Sequence, residues 1–232
     1  MKKILLMAAG LAISAGIALA SGGSSITAEE ALNKLMEGNK HYVENKMTSA
    51  ALCNAPTRES LAKGQKPYAI VLSCSDSRVP PEIIFDKGLG EIFVVRVAGN
   101  VVDPVTLGSI EYAAEHLGSP LIVVLGHERC GAVTAAVDAK GKPEGNIGAI
   151  VKSIAPAVKK AKHQCKDCKK KDCTGEEKVK LVECAIDENV KLVAGNITKQ
   201  SAAIKELVKK GKVKIVNAKY DLDDGLVTLL KD

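Results

Sequence analysis

Cys74-Ser75-Asp76-Ser77-Arg78 places a thiol, a carboxylate and a guanidinium within one short stretch, and His127-Glu128-Arg129-Cys130-Gly131 adds an imidazole and a second thiol. Two thiolates and one imidazole make a first shell for zinc with one coordination position left over. His127 and Cys130 have two residues between them, a common spacing for a metal pair. Cys74 stands 53 positions before His127, so only the fold can bring it to them. Taken singly, Cys74 reads as a buried core thiol and His127 as a hydrogen-bonded turn residue. Ligand types at both places, with glycines flanking the second, favour the metal.

Each stretch leaves an apolar run. Tyr68-Ala69-Ile70-Val71-Leu72 reads as a buried strand, with the first core strand at about Ala69 to Ser73. Val79-Pro80-Pro81-Glu82 stops it, and Pro81 suits the first turn of a helix. Leu121 to Leu125 is a second buried strand, and the His127 turn leads into a helix over Gly131 to Ala139. Both stretches therefore fall at carboxyl ends of strands, where open α/β sheets place their ligands.

The remaining pattern alternates helix and strand. Thr27-Ala28-Glu29-Glu30 is a capping box that starts a helix running to about Glu44. Its inner face is marked by Ala31, Leu32, Leu35, Met36, Asn39 and Tyr42, and His41 reads as surface or satisfied. Met47 to Pro56 reads as a loop, Thr57 to Gly64 as a short helix, and Ile83 to Leu89 as a helix or turn. Glu91 to Val97 is a strand, and Asp103 to His116 is a helix beginning near Pro104. Asn146 to Lys162 is a helix interrupted or bent at Pro156. Glu176 to Gly211 is helical in period, Lys212 to Ala218 is a strand, and Leu226 to Leu230 is a last edge strand. The expected architecture is α/β: a mostly parallel central sheet flanked by helices, with an N-terminal helical arm.

The chain has 232 residues, 46% of them hydrophobic but only 3% aromatic and none Trp, so Val, Ile, Leu and Ala must fill the core. Met1-Lys2-Lys3 is a basic start, Ile4 to Ala18 is apolar and uncharged, and Ala18-Leu19-Ala20 is a small-residue cleavage pattern. This predicts a signal peptide over residues 1–20 and a single domain over 21–232 that is periplasmic or secreted from a bacterium. The apolar run is short for a span and rich in Ala and Gly, so no stable membrane insertion is expected after cleavage. The formal net charge is +6, of which Lys2 and Lys3 leave with the signal. A remainder this mild, with no basic stripe interleaved with aromatics, gives no support for nucleic-acid binding.

The paired motifs closely resemble the zinc motifs of the β-class carbonic anhydrases. Gly64-Gln65-Lys66-Pro67, Glu91-Ile92-Phe93-Val94-Val95-Arg96 and Ile110-Glu111-Tyr112 extend the resemblance, which runs from about Thr27 to Leu230. It implies reversible hydration of CO2 to bicarbonate and a proton, with one zinc per chain on Cys74, His127 and Cys130. It also implies a dyad of Asp76 and Arg78 beside the fourth position. Zinc lowers the pKa of bound water to about 7, and the implied nucleophile is hydroxide on that zinc. Asp76 would accept its hydrogen bond while Arg78 holds the carboxylate; without the resemblance, the dyad reads as a strand-end salt bridge. Gln65, Phe93 and Tyr112 match residues lining the substrate pocket in the plant-like branch, and Tyr112 reads equally as core packing. The bacterial branch with a bicarbonate-regulated site uses a Trp, which this chain lacks. The family fold implies a homodimer or larger homo-oligomer, the N-terminal helix reaching over its partner. Neither His116, at a helix end, nor His163 is assigned as a proton shuttle.

The segment from His163 to Cys173 departs from that family pattern. Within a Cys-rich insert over 161–176, Cys165, Cys168 and Cys173 join Cys184 and Cys53 as thiols outside the zinc motifs. Disulfide pairing in an oxidising compartment is the first reading; a second metal site with His163, or haem attachment at Cys165 and Cys168, stays open. Two rival functions follow: the same scaffold acting on carbonyl sulfide or carbon disulfide, and a periplasmic metal-binding or redox protein working through the insert.

Overall fold

The computed structural model describes residues 26–141, 145–164 and 174–231. The signal segment and three insert cysteines, Cys165, Cys168 and Cys173, lie outside the described residues. Among the described residues five strands form one sheet: β1 (Ala69–Ser73), β2 (Ile92–Arg96), β3 (Leu121–His127), β4 (Lys214–Tyr220) and β5 (Val227–Leu229). Their order is β2-β1-β3-β4-β5, parallel except for antiparallel β5. The helices are α1 (Ala28–Val43), α2 (Ala55–Leu61), α3 (Pro81–Ile84), α4 (Pro104–Glu115), α5 (Gly131–Asp138), α6 (Ile147–Gln164), α7 (Gly175–Gln200) and α8 (Ala202–Lys209).

Every residue of β1 and β3 is buried, which explains why both read as continuous apolar runs. Side chains alternate between two cores. On one face Val71, Val123 and Leu125 meet Ala31 and Leu35 of α1, Ile154 of α6 and Ile186 of α7. On the other, Ile70, Leu72, Ile122 and Val124 meet Ile110 of α4, Val190 and Ile197 of α7, and Ile204 of α8. The N-terminal helix thus buries its apolar face in its own chain. From β1 the chain moves outward to β2, then crosses back to β3 on the other side. The strand order reverses between β1 and β3, and the crevice at their carboxyl ends is the expected ligand position.

Several predicted boundaries move for local reasons. The capping box of α1 forms as read, with Glu30 N–H donating to Thr27 Oγ1 at 3.2 Å. Asn54 Oδ1 accepts Thr57 N–H at 2.9 Å, so α2 starts at Ala55 rather than Thr57. The predicted interruption at Pro156 is absent: α6 runs through it. Pro156 lies on the exposed side, where water can satisfy the Lys152 carbonyl that loses its donor. The long helical pattern from Glu176 to Gly211 divides at Ser201, whose hydroxyl accepts Ile204 N–H at 3.1 Å and caps α8. Among the described residues no helix is long and apolar enough to cross a membrane.

Candidate metal centre

Cys74 follows the last residue of β1, His127 ends β3 and Cys130 precedes the first residue of α5. The parallel register pairs Ser73 with Leu125, which levels the two strand ends. The ligand atoms of Cys74, His127 and Cys130 lie within 4.8 Å of one another. All three residues are buried, His127 and Cys130 to 1% exposure.

His127 Nδ1 lies 2.8 Å from the Glu128 carbonyl. A carbonyl can only accept, so Nδ1 carries the proton and a neutral ring presents its lone pair at Nε2. That Nε2 is buried and has no hydrogen-bond partner. Gly99 N–H donates to Cys74 Sγ at 3.3 Å. The Cys130 thiol beside it and the Gly99 amide hold Cys74 well below the ordinary thiol range against the opposing effect of burial. Cys74 in turn, together with burial, pushes Cys130 up. Only one thiolate is therefore comfortable in the chain alone; a cation between the sulfurs lets both ionise. A buried nitrogen lone pair beside two such sulfurs fits a thiophilic cation such as zinc.

Asp76 lies at the rim, its Oδ2 3.9 Å from His127 Nε2. Arg78 donates to both carboxylate oxygens, Nε–H to Oδ1 at 2.9 Å and Nη2–H to Oδ2 at 2.8 Å. The Arg78 backbone N–H adds a third bond to Oδ1 at 3.0 Å. Arg78 is the largest influence on Asp76 and keeps its carboxyl far below the usual range, with burial opposing.

Sequence reasoning missed two supports of this turn. Arg96, at the end of β2, donates Nε–H to the Cys74 carbonyl at 3.1 Å and Nη2–H to the Asp76 carbonyl at 2.6 Å. Asn189 of α7 donates to the Gly99 carbonyl at 2.9 Å. The strand register Ser73 to Arg96 would have found the first; no local signal marks the second.

The other predicted site residues do not join this cluster within one chain. Gln65 is exposed between α2 and β1, at the amino end of the sheet. Phe93 is in register with Ile70, four residues before Cys74, or about 13 Å of strand. Tyr112, on α4, is 48% exposed and its ring stands 6.3 Å from that of Phe93. The His116 ring lies 5.4 Å from that of Tyr112 between centroids. His41 is held against Asp86 at 3.3 Å, consistent with a satisfied residue.

A family model described as carbonic anhydrase matches residues 69–227. Carbonic anhydrase 2 of Mycobacterium tuberculosis is 40% identical over 198 residues, covering 84% of this chain and 89% of that protein. Beta carbonic anhydrase 3 of Arabidopsis thaliana is 31% identical over 212 residues, covering 86% of this chain and 77% of that one. Among solved structures, the Coccomyxa β-carbonic anhydrase in complex with acetazolamide superposes with a TM-score of 0.68 at 25% identity, over 86% of each chain. Tetrameric β-carbonic anhydrases from Sordaria macrospora share the fold at a TM-score of 0.67 and 23% identity, over 88% of this chain and 98% of theirs. These relatives lend no support to the carbonyl sulfide or redox readings.

Proposed function

Because this chain belongs to the β-class carbonic anhydrases, we propose that it hydrates CO2 reversibly at a single zinc held by Cys74, His127 and Cys130. The observation that carries the reading is the buried, unpartnered Nε2 of His127 facing two sulfurs, with a fixed carboxylate 3.9 Å away. Zinc held there supplies the Lewis acidity that makes water nucleophilic near neutral pH. Asp76, kept ionised by Arg78, can only accept hydrogen bonds. It orients a water or hydroxyl that donates to it and leaves that oxygen's lone pair for the carbon of CO2. Because Arg78 takes both carboxylate oxygens, Asp76 is held in that role.

Gln65, Phe93 and Tyr112 are assigned to the substrate pocket of a second copy. β2 is an edge strand, and beside it Leu89, Val105 and Tyr112 are exposed, Val105 to 78%. An apolar strip at a sheet edge is suited to a homo-oligomer interface, and the Sordaria relatives are tetramers. Phe93 would then offer an apolar wall to uncharged CO2, and Gln65 an amide donor to an oxygen of CO2 or bicarbonate. The Met1–Ala20 pattern supports a site of action outside the cytoplasm.

The test is stopped-flow CO2 hydration on purified protein with zinc counted in the same sample. Fast hydration with one zinc per chain, lost in Cys74→Ser, is the expected result. One zinc without hydration at any pH up to about 9 would refute the activity, since zinc-bound water ionises at about pH 7 in carbonic anhydrase and about 9 free in solution.

A further inference from the structure

We propose that Glu183, on α7, is a positioning residue for the metal centre: it clamps the backbone of the turn whose two ends are His127 and Cys130. The inference rests on the metal reading above. Arg129, inside that turn, adopts φ of +51°. A side-chain-bearing residue in the left-handed region persists only where its surroundings hold it. The hold is direct, because Arg129 N–H donates to Glu183 Oε1 at 2.9 Å across 54 residues of sequence.

Glu183 is itself fixed. Its Oε2 lies 2.6 Å from Lys219 Nζ, and Asp187, one helical turn further on, lies 3.2 Å from the same nitrogen. Two carboxylates four residues apart on a helix repel, and a lysine between them removes the repulsion. Lys219 belongs to β4 and is in register with Gly126, the residue before His127. Its side chain is 16% exposed, so the pair is anchored on the sheet rather than in solvent. The chain of contacts runs from β4 through Glu183 to the amide that precedes Cys130. The outer tie on Arg129, its guanidinium with Asp223 at 2.9 Å, ends on a carboxylate 74% exposed and contributes little. Without Glu183 the turn loses its inner acceptor, and the relative placement of the His127 and Cys130 ligand atoms is no longer fixed. Outer-shell partners of this kind typically hold a factor of about 10–100 in metal affinity.

The experiment compares wild type, Glu183→Ala and Glu183→Gln as zinc-loaded full chains. Zinc affinity is read by equilibrium competition with a chromophoric chelator. The same proteins loaded with Co2+ are read by their thiolate-to-metal absorption, and thermal melts run alongside. Glu183→Ala is expected to lose about 10–100-fold in zinc affinity and to alter the cobalt bands. Glu183→Gln keeps an oxygen for the Arg129 amide and is expected to recover most of the affinity and the wild-type spectrum. Lys219 keeps Asp187 in both variants; if the alanine chain does not fold, Glu183→Leu, closer in volume, carries the same expectation. Zinc held as tightly by the alanine or leucine variant as by wild type would overturn the positioning role. Alanine and glutamine variants that melt lower together, with unchanged cobalt bands, would reduce Glu183 to a fold-stabilising residue and also overturn it. A wild-type chain that holds neither cation would instead refute the metal centre itself, and the positioning role with it.

Discussion

Gly99 is the position where one added methyl group should test both the fold and the site. Its φ is +70°, and its two backbone polar groups face inward, N–H to Cys74 Sγ and carbonyl to Asn189. A Cβ built there would stand 2.7 Å from Ile154 Cδ1 and 3.1 Å from Ala132 Cβ. Gly99→Ala therefore meets two costs: roughly 1–2 kcal/mol for a left-handed residue with a side chain, and about 1–3 kcal/mol for overpacking against α5 and α6. The expected destabilisation is about 2–5 kcal/mol, a large share of the roughly 5–15 kcal/mol that holds a domain folded. Ile154→Val removes the closest atom but leaves the backbone strain, and alone costs about 0.5–1.5 kcal/mol. The double mutant should accordingly be more stable than the sum of the singles predicts, by about 1 kcal/mol, read from urea unfolding in a double-mutant cycle. Zinc content should fall in Gly99→Ala as the loop carrying the Cys74 donor is displaced. Strict additivity of the two substitutions, or a Gly99→Ala protein as stable as wild type, would refute the reasoning.

Three further outcomes are expected. Arg78→Ala should lower CO2 hydration by about 10–100-fold with zinc content unchanged, and Arg78→Lys should not restore it, because an ammonium cannot supply the two-pronged contact; hydration within twofold of wild type would make the dyad a surface ion pair. Asp86 is buried, which by itself raises its pKa, but the amides of Thr48 and Ser49 outweigh this and the carboxyl is depressed. Its stabilising effect is thus complete above the ordinary value of about 3.9 and is lost as pH falls through the folded value. The advantage of wild type over Asp86→Asn in urea midpoint should shrink steadily below about pH 4, and an advantage that grows on acidification would contradict the assignment. Asn39, 2% exposed, donates to the carbonyls of Ile84 and Gly225 and accepts Val227 N–H. Asn39→Ala should cost about 3 kcal/mol and lower the melting temperature by roughly 6–12 °C; a fall under about 2 °C would mean that water replaces the lost bonds.

Much of this molecule is legible in one dimension because its causes are local. β1 needs only its run of apolar residues, and α1 needs only Thr27 and Glu30 three positions apart. The residue types at Cys74, Asp76, Arg78, His127 and Cys130 are likewise written in the sequence, and two thiolates with an imidazole are a ligand set that suits zinc once a fold gathers them. The break at Ser201 is local too, but a serine inside a helical period is ambiguous until its hydroxyl is seen to cap α8.

What tertiary structure decided is everything that depends on register between distant segments. Cys74 and His127 become neighbours because β1 and β3 pair in parallel with level ends, at the point where the strand order reverses. Arg96, Asn189 and Glu183 gain their roles by reaching backbone groups of other elements, and any residue type can supply a backbone group, so no motif announces such a contact. Gln65, Phe93 and Tyr112 carry the family's pocket pattern, yet this chain's fold sets them away from its own cysteines. Residue type determines what chemistry is available. Strand pairing and helix packing determine which of those groups share one small volume, because a separation of a few ångströms in space is set by hydrogen-bond register and not by position along the chain.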